Sequence, residues 1–388
     1  MNRKKNILII SPFFYPEPIS TGKFNTDFAI ALSQKGHSVT VLCYHPFYPN
    51  WKMKKSNAII KGINIIRGGS LLLFSKKSLI RRIILEFSFT FFVLRKINKH
   101  QKGVDIVIPV FPPSLAFFTV LSFLNKSIYK TGLVHDLQEI YSENQKGLIH
   151  KVVHYFIHKI EKKCYQNCDK LIFLSKQMKD KAKHLYDLAE EKLDVQYPFI
   201  TIKDKITDDI GELFNKNRKS IVYSGALGEK QNADKLLLFF NEASKKIDNL
   251  DFYFFSNGEE INRLKKINNN PKIFFHSLVK RENLEELYKR SDVQIIPQKE
   301  GTSVGSLPSK LPNLLASDCK VFLITDLNSE LHKLFQKHNL DFVSTSWDMS
   351  DLIPKLQEVL EKDIDFKHQK KIAKELFTIE EMVNKATK

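Results

Sequence analysis

Short apolar runs separated by helical patterns recur from one end of this chain to the other, and that alternation constrains the fold more than any single motif. In the first half the runs are "NILIISPFF" (6–14, leading into a loop), "HSVTVLCY" (37–44), "INIIRGG" (63–69), "VDIVIPV" (104–110), "IYKTGLVHD" (128–136) and "KLIFLS" (170–175). Helical patterns lie between them at 22–35, ended by Gly36, near 78–100 and 113–124, and at about 147–167. A second series follows, with "SIVYSG" (220–225), "DFYFFS" (251–256), "KIFFHSLV" (272–279), "DVQIIP" (292–297) and "KVFLIT" (320–325), and with helices from about 233, from about 308 and on to the C-terminus. Strands alternating with helices build a parallel, doubly wound sheet, because each parallel crossover needs a helix-length connection. Two such series in 388 residues predict two Rossmann-like domains, 1–200 and 201–388, since a single core rarely grows past about 250–300 residues. The charged, aperiodic stretch "PFITIKDKITDDIGELFNKNR" (198–218) reads as the linker. Such sheets bind ligands beyond the carboxyl ends of their strands, so chemistry is to be sought in the loops after each run, facing a cleft between the domains.

The charge balance narrows the partners. A formal net charge of +18 attracts nucleic acid, anionic lipid or phosphorylated ligands, although Lys-, Asn-, Ile- and Phe-rich usage in a biased genome produces the same surplus. No helix-turn-helix spacing, zinc-finger pattern or RNA-binding aromatic signature is present, so no nucleic acid is expected. Residues 71–100, "LLLFSKKSLIRRIILEFSFTFFVLRKINKH", interleave basic clusters with Phe, Leu and Ile, which suits either an interfacial amphipathic segment on an anionic membrane surface or a long helix packed in a core. Their longest uncharged run, "FSFTFFVL", falls far short of the roughly 20 residues of a spanning helix. The basic, apolar start "MNRKKNILIISPFF" lacks a small-residue cleavage site and reads as a first buried strand rather than a signal peptide. Cys43, Cys164, Cys168 and Cys319 form no ligand or disulfide pattern and read as reduced thiols.

Candidate chemistry sits where the strands end. After the first run, "SPFFYPEPISTGKF" carries Pro16 and Pro18, and then Gly22 at a helix start with Ser20 and Thr21 as candidate caps. Open backbone N–H groups there suit an anion or a sugar hydroxyl as well as a plain turn. No G-x-G-x-x-G appears, which argues against a dinucleotide dehydrogenase. His135 and Asp136, at a strand's carboxyl end, suit hydrogen bonding to a sugar and support of a developing positive charge. "VYSGALGEKQN" sets Gly225 and Gly228 before a helix with Lys230 at its start, a diphosphate-like arrangement that Asn257 and Gly258 repeat after the next strand. Most informative is "EGTSVGSLPSKLPNLLASD" (300–318). Gly301, Thr302, Ser303, Gly305 and Ser306 make a polar loop, Pro308 fits a first helical position, and Ser309 and Lys310 then fall among unpaired N–H groups. Lysine opposes the helix dipole there, and a bound phosphate would reverse that penalty. Pro312 is tolerable only in the first turn, which fixes the helix start near 308–311.

These stretches together resemble the retaining family-4 glycosyltransferases of GT-B fold, particularly the bacterial branch working on colanic-acid-type exopolysaccharide, capsule and O-antigen. The carriers are "SPFFYPEP" with "ALSQKGHSVTVLCYHPFYP", then "VHDLQE", "VYSGALG", "SDVQIIP" and "LPSKLPNLLASDCKVFLIT", in order over nearly the whole chain. The resemblance implies an α/β architecture in which two Rossmann-like domains with parallel sheets face a central cleft and the C-terminal helices can cross back to the first domain. It implies transfer of a sugar from a UDP-linked donor to a lipid-linked or oligosaccharide acceptor, with retention and with the leaving diphosphate as base. The absence of an Asp-x-Asp triad between the domains makes no cofactor and no metal the expectation, helix ends and lysines serving instead. By the same resemblance His135 contacts the donor sugar, Gly22 lies near the diphosphate, and Leu278 and Val279 pack the base. The family's Glu-(any seven)-Glu motif falls on Gly305 and Asn313, with Glu300 on a longer loop as a candidate replacement, and the exopolysaccharide branch likewise carries "PSK" and an Asn. The usual basic clamp falls on Ala226 and Gln231, which shifts its burden to Lys230 and Lys310, with Ser309 beside them. Two other readings accompany these departures: a non-catalytic nucleotide-sugar-binding partner of a polysaccharide assembly complex, and a GT-B nucleotide-sugar epimerase. The expected location is cytoplasmic, peripheral on the inner membrane face.

Overall fold

The computed structural model describes residues 3–48, 50–75, 77–137, 148–202, 209–303 and 307–388. The chain divides into two compact units, Met1–Tyr197 with Ile379–Lys388, and Pro198–Thr378. The expected linker at 198–218 belongs to the second unit, and residues 379–388, assigned in sequence to the second domain, return to the first.

The first unit is a 7-stranded parallel sheet in the order β3-β2-β1-β4-β5-β6-β7. Its elements are β1 (Asn6–Ile10), α1 (Ser20–Gln34), β2 (Ser38–Tyr44), β3 (Ile63–Gly68), α2 (Ser78–His100), β4 (Ile106–Phe111), α3 (Leu115–Val120), β5 (Tyr129–Val134), α4 (Leu148–Gln166), β6 (Lys170–Phe173), α5 (Lys176–Tyr186) and β7 (Leu193–Val195). The order reverses between β1 and β4, which pair in register Ile7 with Ile106 through Ile10 with Pro109. β4 is buried along its whole length, as a strand covered on both faces must be, and each such side chain adds roughly 1.5–3 kcal/mol of hydrophobic stabilisation. Gly36 ends α1 with a positive φ of 88°, a conformation that favours glycine just past a helix. α2 answers half of the question raised by 71–100, because Leu85, Phe89, Val93 and Ile97 lie buried in the first core at four-residue spacing. Its acid, Glu86, turns its carboxylate to the backbone N–H groups of Ser114 (3.3 Å) and Leu115 (3.0 Å) and so caps α3. The C-terminal helix, Ile379–Thr387, joins this unit through Lys35 Nζ to Asn384 Oδ1 (2.7 Å), Thr131 Oγ1 to Ala386 O (3.3 Å) and Lys385 Nζ to Val195 O (2.7 Å).

The second unit is a 6-stranded parallel sheet in the order β10-β9-β8-β11-β12-β13. It runs β8 (Lys219–Ser224), α6 (Ala233–Lys246), β9 (Leu250–Phe255), α7 (Glu259–Ile267), β10 (Ile273–His276), α8 (Leu284–Lys289), β11 (Val293–Pro297), α9 (Leu311–Leu315), β12 (Lys320–Ile324), α10 (Glu330–Lys337), β13 (Val343–Ser344), α11 (Met349–Glu361) and α12 (Phe366–Leu376). Period-two alternation sends Phe252 and Phe254 of β9 against Phe240 of α6, each with ring centroids 4.9 Å apart. Tyr253 and Phe255 point the other way and pack against Phe214. Two edge strands escape sequence reading: β7 and β13 span 3 and 2 residues and carry no apolar run of their own.

Candidate active site

In the first unit the candidates gather where β1 and β5 end. Asn25 of α1 donates to Ser11 Oγ (2.9 Å) and Phe13 O (3.1 Å), which fixes the loop after β1 against the helix. Buried Glu17 accepts from the N–H groups of Phe47 (2.9 Å) and Tyr48 (2.9 Å); burial raises its pKa, and those two bonds oppose the rise. A Cβ on Gly22 would stand 2.9 Å from Glu17 Cβ and 3.2 Å from Glu17 O, so glycine is what lets α1 begin against this loop. The helix is not capped as its sequence suggests: Ile19 is the N-cap, without a side-chain bond, and Ser20 and Thr21 lie inside the first turn.

His135 follows β5, its N–H bonded to Phe111 O (2.9 Å) and its ring edge-on to Phe24 of α1 (centroids 4.6 Å, 84°). The structure thus brings His135 and the start of α1 together. His135 Nε2 is buried and has no hydrogen-bond partner among the described residues. Burial pulls the imidazole pKa down to about 3, so the ring is neutral at physiological pH. Asp136 accepts from the N–H of Leu137 (3.1 Å) and so also serves its own loop.

In the second unit, β8 runs into Gly225, whose φ of 140° favours glycine and whose N–H bonds Phe255 O (2.9 Å). The amide of Gln231, at one expected clamp position, closes a local turn by accepting from Gly228 N–H (3.0 Å). Lys230 O accepts from Lys299 N–H (2.8 Å), tying the loop after β8 to the loop after β11. Asn257 Oδ1 accepts from Leu278 N–H (3.2 Å), so Asn257, Gly258, Leu278 and Val279 also form one cluster, with Leu278 exposed.

The stretch 300–313 departs most from expectation. Glu300 does not turn inward as a replacement carboxylate; it forms a surface ion pair with Lys235 of α6 (3.2 Å). Gly301 N–H donates to both oxygens of Asp326 (3.1 Å each), Ser303 Oγ donates to the same carboxylate, and Thr302 Oγ1 donates to Lys299 O (2.7 Å). Gly305 and Ser306 lie outside the described residues. Pro308 and Ser309 precede the helix instead of opening it; α9 begins at Leu311 with Pro312 in its first turn, and Ser309 is exposed. Lys310 is the N-cap, and its Nζ donates to Ser224 O (3.1 Å) at the end of β8 and Ile295 O (2.9 Å) in β11, 4.4 Å from the Tyr223 ring centroid. The ammonium is therefore a strut at the reversal of strand order, not a group at the helix mouth, and burial lowers its pKa to about 7. Asn313 is likewise committed: Oδ1 accepts from Thr201 N–H (2.7 Å) and Ile202 N–H (3.2 Å), while Nδ2 donates to Thr201 Oγ1 (3.0 Å).

Sequence reasoning missed Ser256 and His276, which close β9 and β10. Ser256 Oγ and His276 Nε2 are buried and without a partner among the described residues, and His276 stacks on Phe255 (centroids 5.0 Å). Their signal was present in "FYFFS" and "IFFHS", a polar residue closing an apolar run at the carboxyl end of a parallel strand.

Residues 21–204 match the family model Glycosyltransferase Family 4, and residues 204–375 match Glycosyl transferases group 1. A putative colanic acid biosynthesis glycosyl transferase of Escherichia coli (strain K12), WcaI, is 25% identical over 353 residues, 84% of this chain and 85% of that protein. Among solved structures, sucrose-phosphate synthase from Thermosynechococcus elongatus superposes with a TM-score of 0.74 at 14% identity, covering 98% of this chain and 97% of that one. WaaG, a glycosyltransferase involved in lipopolysaccharide biosynthesis, gives 0.68 at 12% identity, covering 97% and 98%. With two family models in succession over two parallel-sheet units, the chain belongs to the family-4 glycosyltransferases and has the GT-B fold.

Proposed function

We propose that this glycosyltransferase moves a sugar from a UDP-linked donor to a lipid-linked or growing saccharide acceptor of a bacterial surface polysaccharide, with retention and without a metal. The polysaccharide assignment is supported by the role named for the E. coli relative. The observation that carries the site is His135 Nε2, a buried polar atom without a partner among the described residues, whose desolvation a ligand's hydrogen bond would compensate. A neutral imidazole satisfies a sugar hydroxyl without placing positive charge beside an anomeric carbon that becomes positive as its bond to phosphate breaks. The acceptor hydroxyl forms the new bond on the same face, and its proton passes to the departing diphosphate oxygen. On this reading Lys230 balances the diphosphate, Leu278 and Val279 support the base, and Lys310 positions the strand ends instead of touching the donor.

Calorimetry with UDP and with UDP-sugars, and a proton NMR assay of donor hydrolysis and product anomer, test this. Micromolar UDP binding, turnover of one donor and an axial-to-axial outcome are expected. His135→Ala should lower turnover by about tenfold to a hundredfold, equivalent to ~1.4–2.7 kcal/mol of transition-state stabilisation, while leaving the melting temperature unchanged or higher. Tight UDP binding with no turnover of any donor would instead support the non-catalytic partner, a reading favoured by the structural commitment of Asn313.

A further inference from the structure

We infer that the second unit holds a further binding site, for a small organic cation with an apolar body, in a cavity at the end of the sheet away from the candidate active site. The cavity has a volume of about 310 Å³, at the lower end of the range for ligand pockets. It opens where α9 hands over to β12 (Leu315, Val321), behind the turns that lead into β13 (Asp341, Phe342) and into α12 (Ile364, Asp365). Val321 lies at the start of β12 and Phe342 just before β13, whereas Ser256 and His276 close the carboxyl ends of β9 and β10, and Lys310 reaches the carboxyl end of β8. The two ends of a parallel sheet face opposite ways, so this cavity is no part of the strand-end loops where the donor is expected.

The lining selects the ligand. Leu315, Phe335 and Phe342, all buried, and half-buried Ile364 give the cavity hydrocarbon walls. Several of its polar groups are already spent: Lys362 pairs with Asp341 (2.5 Å), Asp365 accepts from Lys367 N–H (2.9 Å) and caps α12, and His368 Nε2 lies against His338 O (3.0 Å). Gln369 is 5% exposed, and its Nε2 is shared by the carbonyls of Leu314, Ser317 and Cys319 (3.2–3.3 Å). Gln369 Oε1 accepts no hydrogen bond among the described residues, and the exposed carboxylate of Asp363 makes neither a hydrogen bond nor an ion pair there. With Lys362 paired off, the unspent charge at the mouth is negative. An anion would meet Asp363 unfavourably, and a pure hydrocarbon would leave Gln369 Oε1 desolvated. An amine on a ring or short alkyl body brings N–H donors to both acceptors and covers the Leu and Phe surface. A net charge of +18 repels cations from the chain as a whole, so retention here rests on local pairing. Because Gln369 also ties α12 to the end of α9, an occupied cavity braces the helix that Lys310 caps.

Phenethylamine serves as the probe, with 2-phenylethanol and phenylacetate as neutral and anionic counterparts, each titrated into the full chain by calorimetry and saturation-transfer NMR. One saturable site with a Kd on the order of 1 mM is expected for the amine, with the alcohol weaker by about fivefold or more and the acid weaker still. A saturating amine should raise the melting temperature by about 1–3 °C. Asp363→Asn should weaken the amine by about threefold to tenfold. Ile364→Trp, which fills the cavity, should abolish its binding, and both variants should keep the melting temperature and UDP affinity of the unaltered chain. No saturable binding of the amine, an equal affinity for phenylacetate, or undiminished binding by a folded Ile364→Trp overturns the inference. Should Ile364→Trp fail to fold, Asp363→Asn decides at an exposed position, and unweakened binding there overturns the inference as well.

Discussion

The loop after β5 in the first unit and the stretch after β11 in the second treat their polar side chains in opposite ways. In the first unit His135 Nε2 stays buried and unpaired among the described residues. In the second, the stretch richest in ligand-like residues satisfies itself, with Thr302 on Lys299, Ser303 on Asp326, Lys310 on Ser224 and Ile295, and Asn313 on Thr201 and Ile202. Polar content at a strand end and availability to a ligand are therefore separate properties. A hydroxyl or ammonium that finds a carbonyl becomes scaffold, and the atom left over is the one that a ligand can satisfy. By that measure the open positions of the second unit lie after β9 and β10, at Ser256 and His276, rather than at 300–313.

Lys310 offers the hardest test of this contrast. Lys310→Ala should cost about 3 kcal/mol in urea unfolding, since it empties a buried volume and removes the donor that two carbonyls share. The pH dependence gives an independent check. Burial lowers the Lys310 pKa from the ordinary 10.5 to about 7, so between those values the unfolded chain binds the proton more tightly than the folded one. This group's contribution to stability accordingly rises with pH from about 7 to 10.5, and Lys310→Met should remove that component of the slope. Unchanged stability with collapsed turnover would make Lys310 a ligand group after all and erase the contrast. Asn313→Ala comes next, with about 1–2 kcal/mol lost and the donor KM unchanged; a raised KM at normal stability would return Asn313 to the nucleotide. Least is expected from Glu300→Gln, whose exposed ion pair with Lys235 should move stability by less than about 0.5 kcal/mol and leave turnover alone.

The parts of the fold legible in sequence are those governed by local pattern. Apolar runs gave the long strands, and Gly36 the end of α1. What stayed hidden depends on partners distant in the chain. Lys310 looked misplaced at a helix mouth because the carbonyl of Ser224 that receives it lies 86 residues earlier. Asn313 looked like a failed carboxylate because its partner Thr201 lies 112 residues away, in a segment that reads as linker. α2 read as either core or interface because its sequence is apolar on two faces, and the structure uses only one of them internally. His135 was legible by position alone; its missing hydrogen bond is a property of the packed fold.

The return of Ile379–Thr387 to the first unit also sets an order of assembly. The second unit is contiguous from Pro198 to Thr378, whereas the first needs Thr131, Val195 and Lys35 to meet a helix made after that unit. On the ribosome, then, the first unit is completed only after the second has been made. A chain cut at 378 would leave the second unit's contacts whole while stripping the first of the helix that braces α1 and β7. The two halves are separate cores, yet the chain cannot be divided into them at one point.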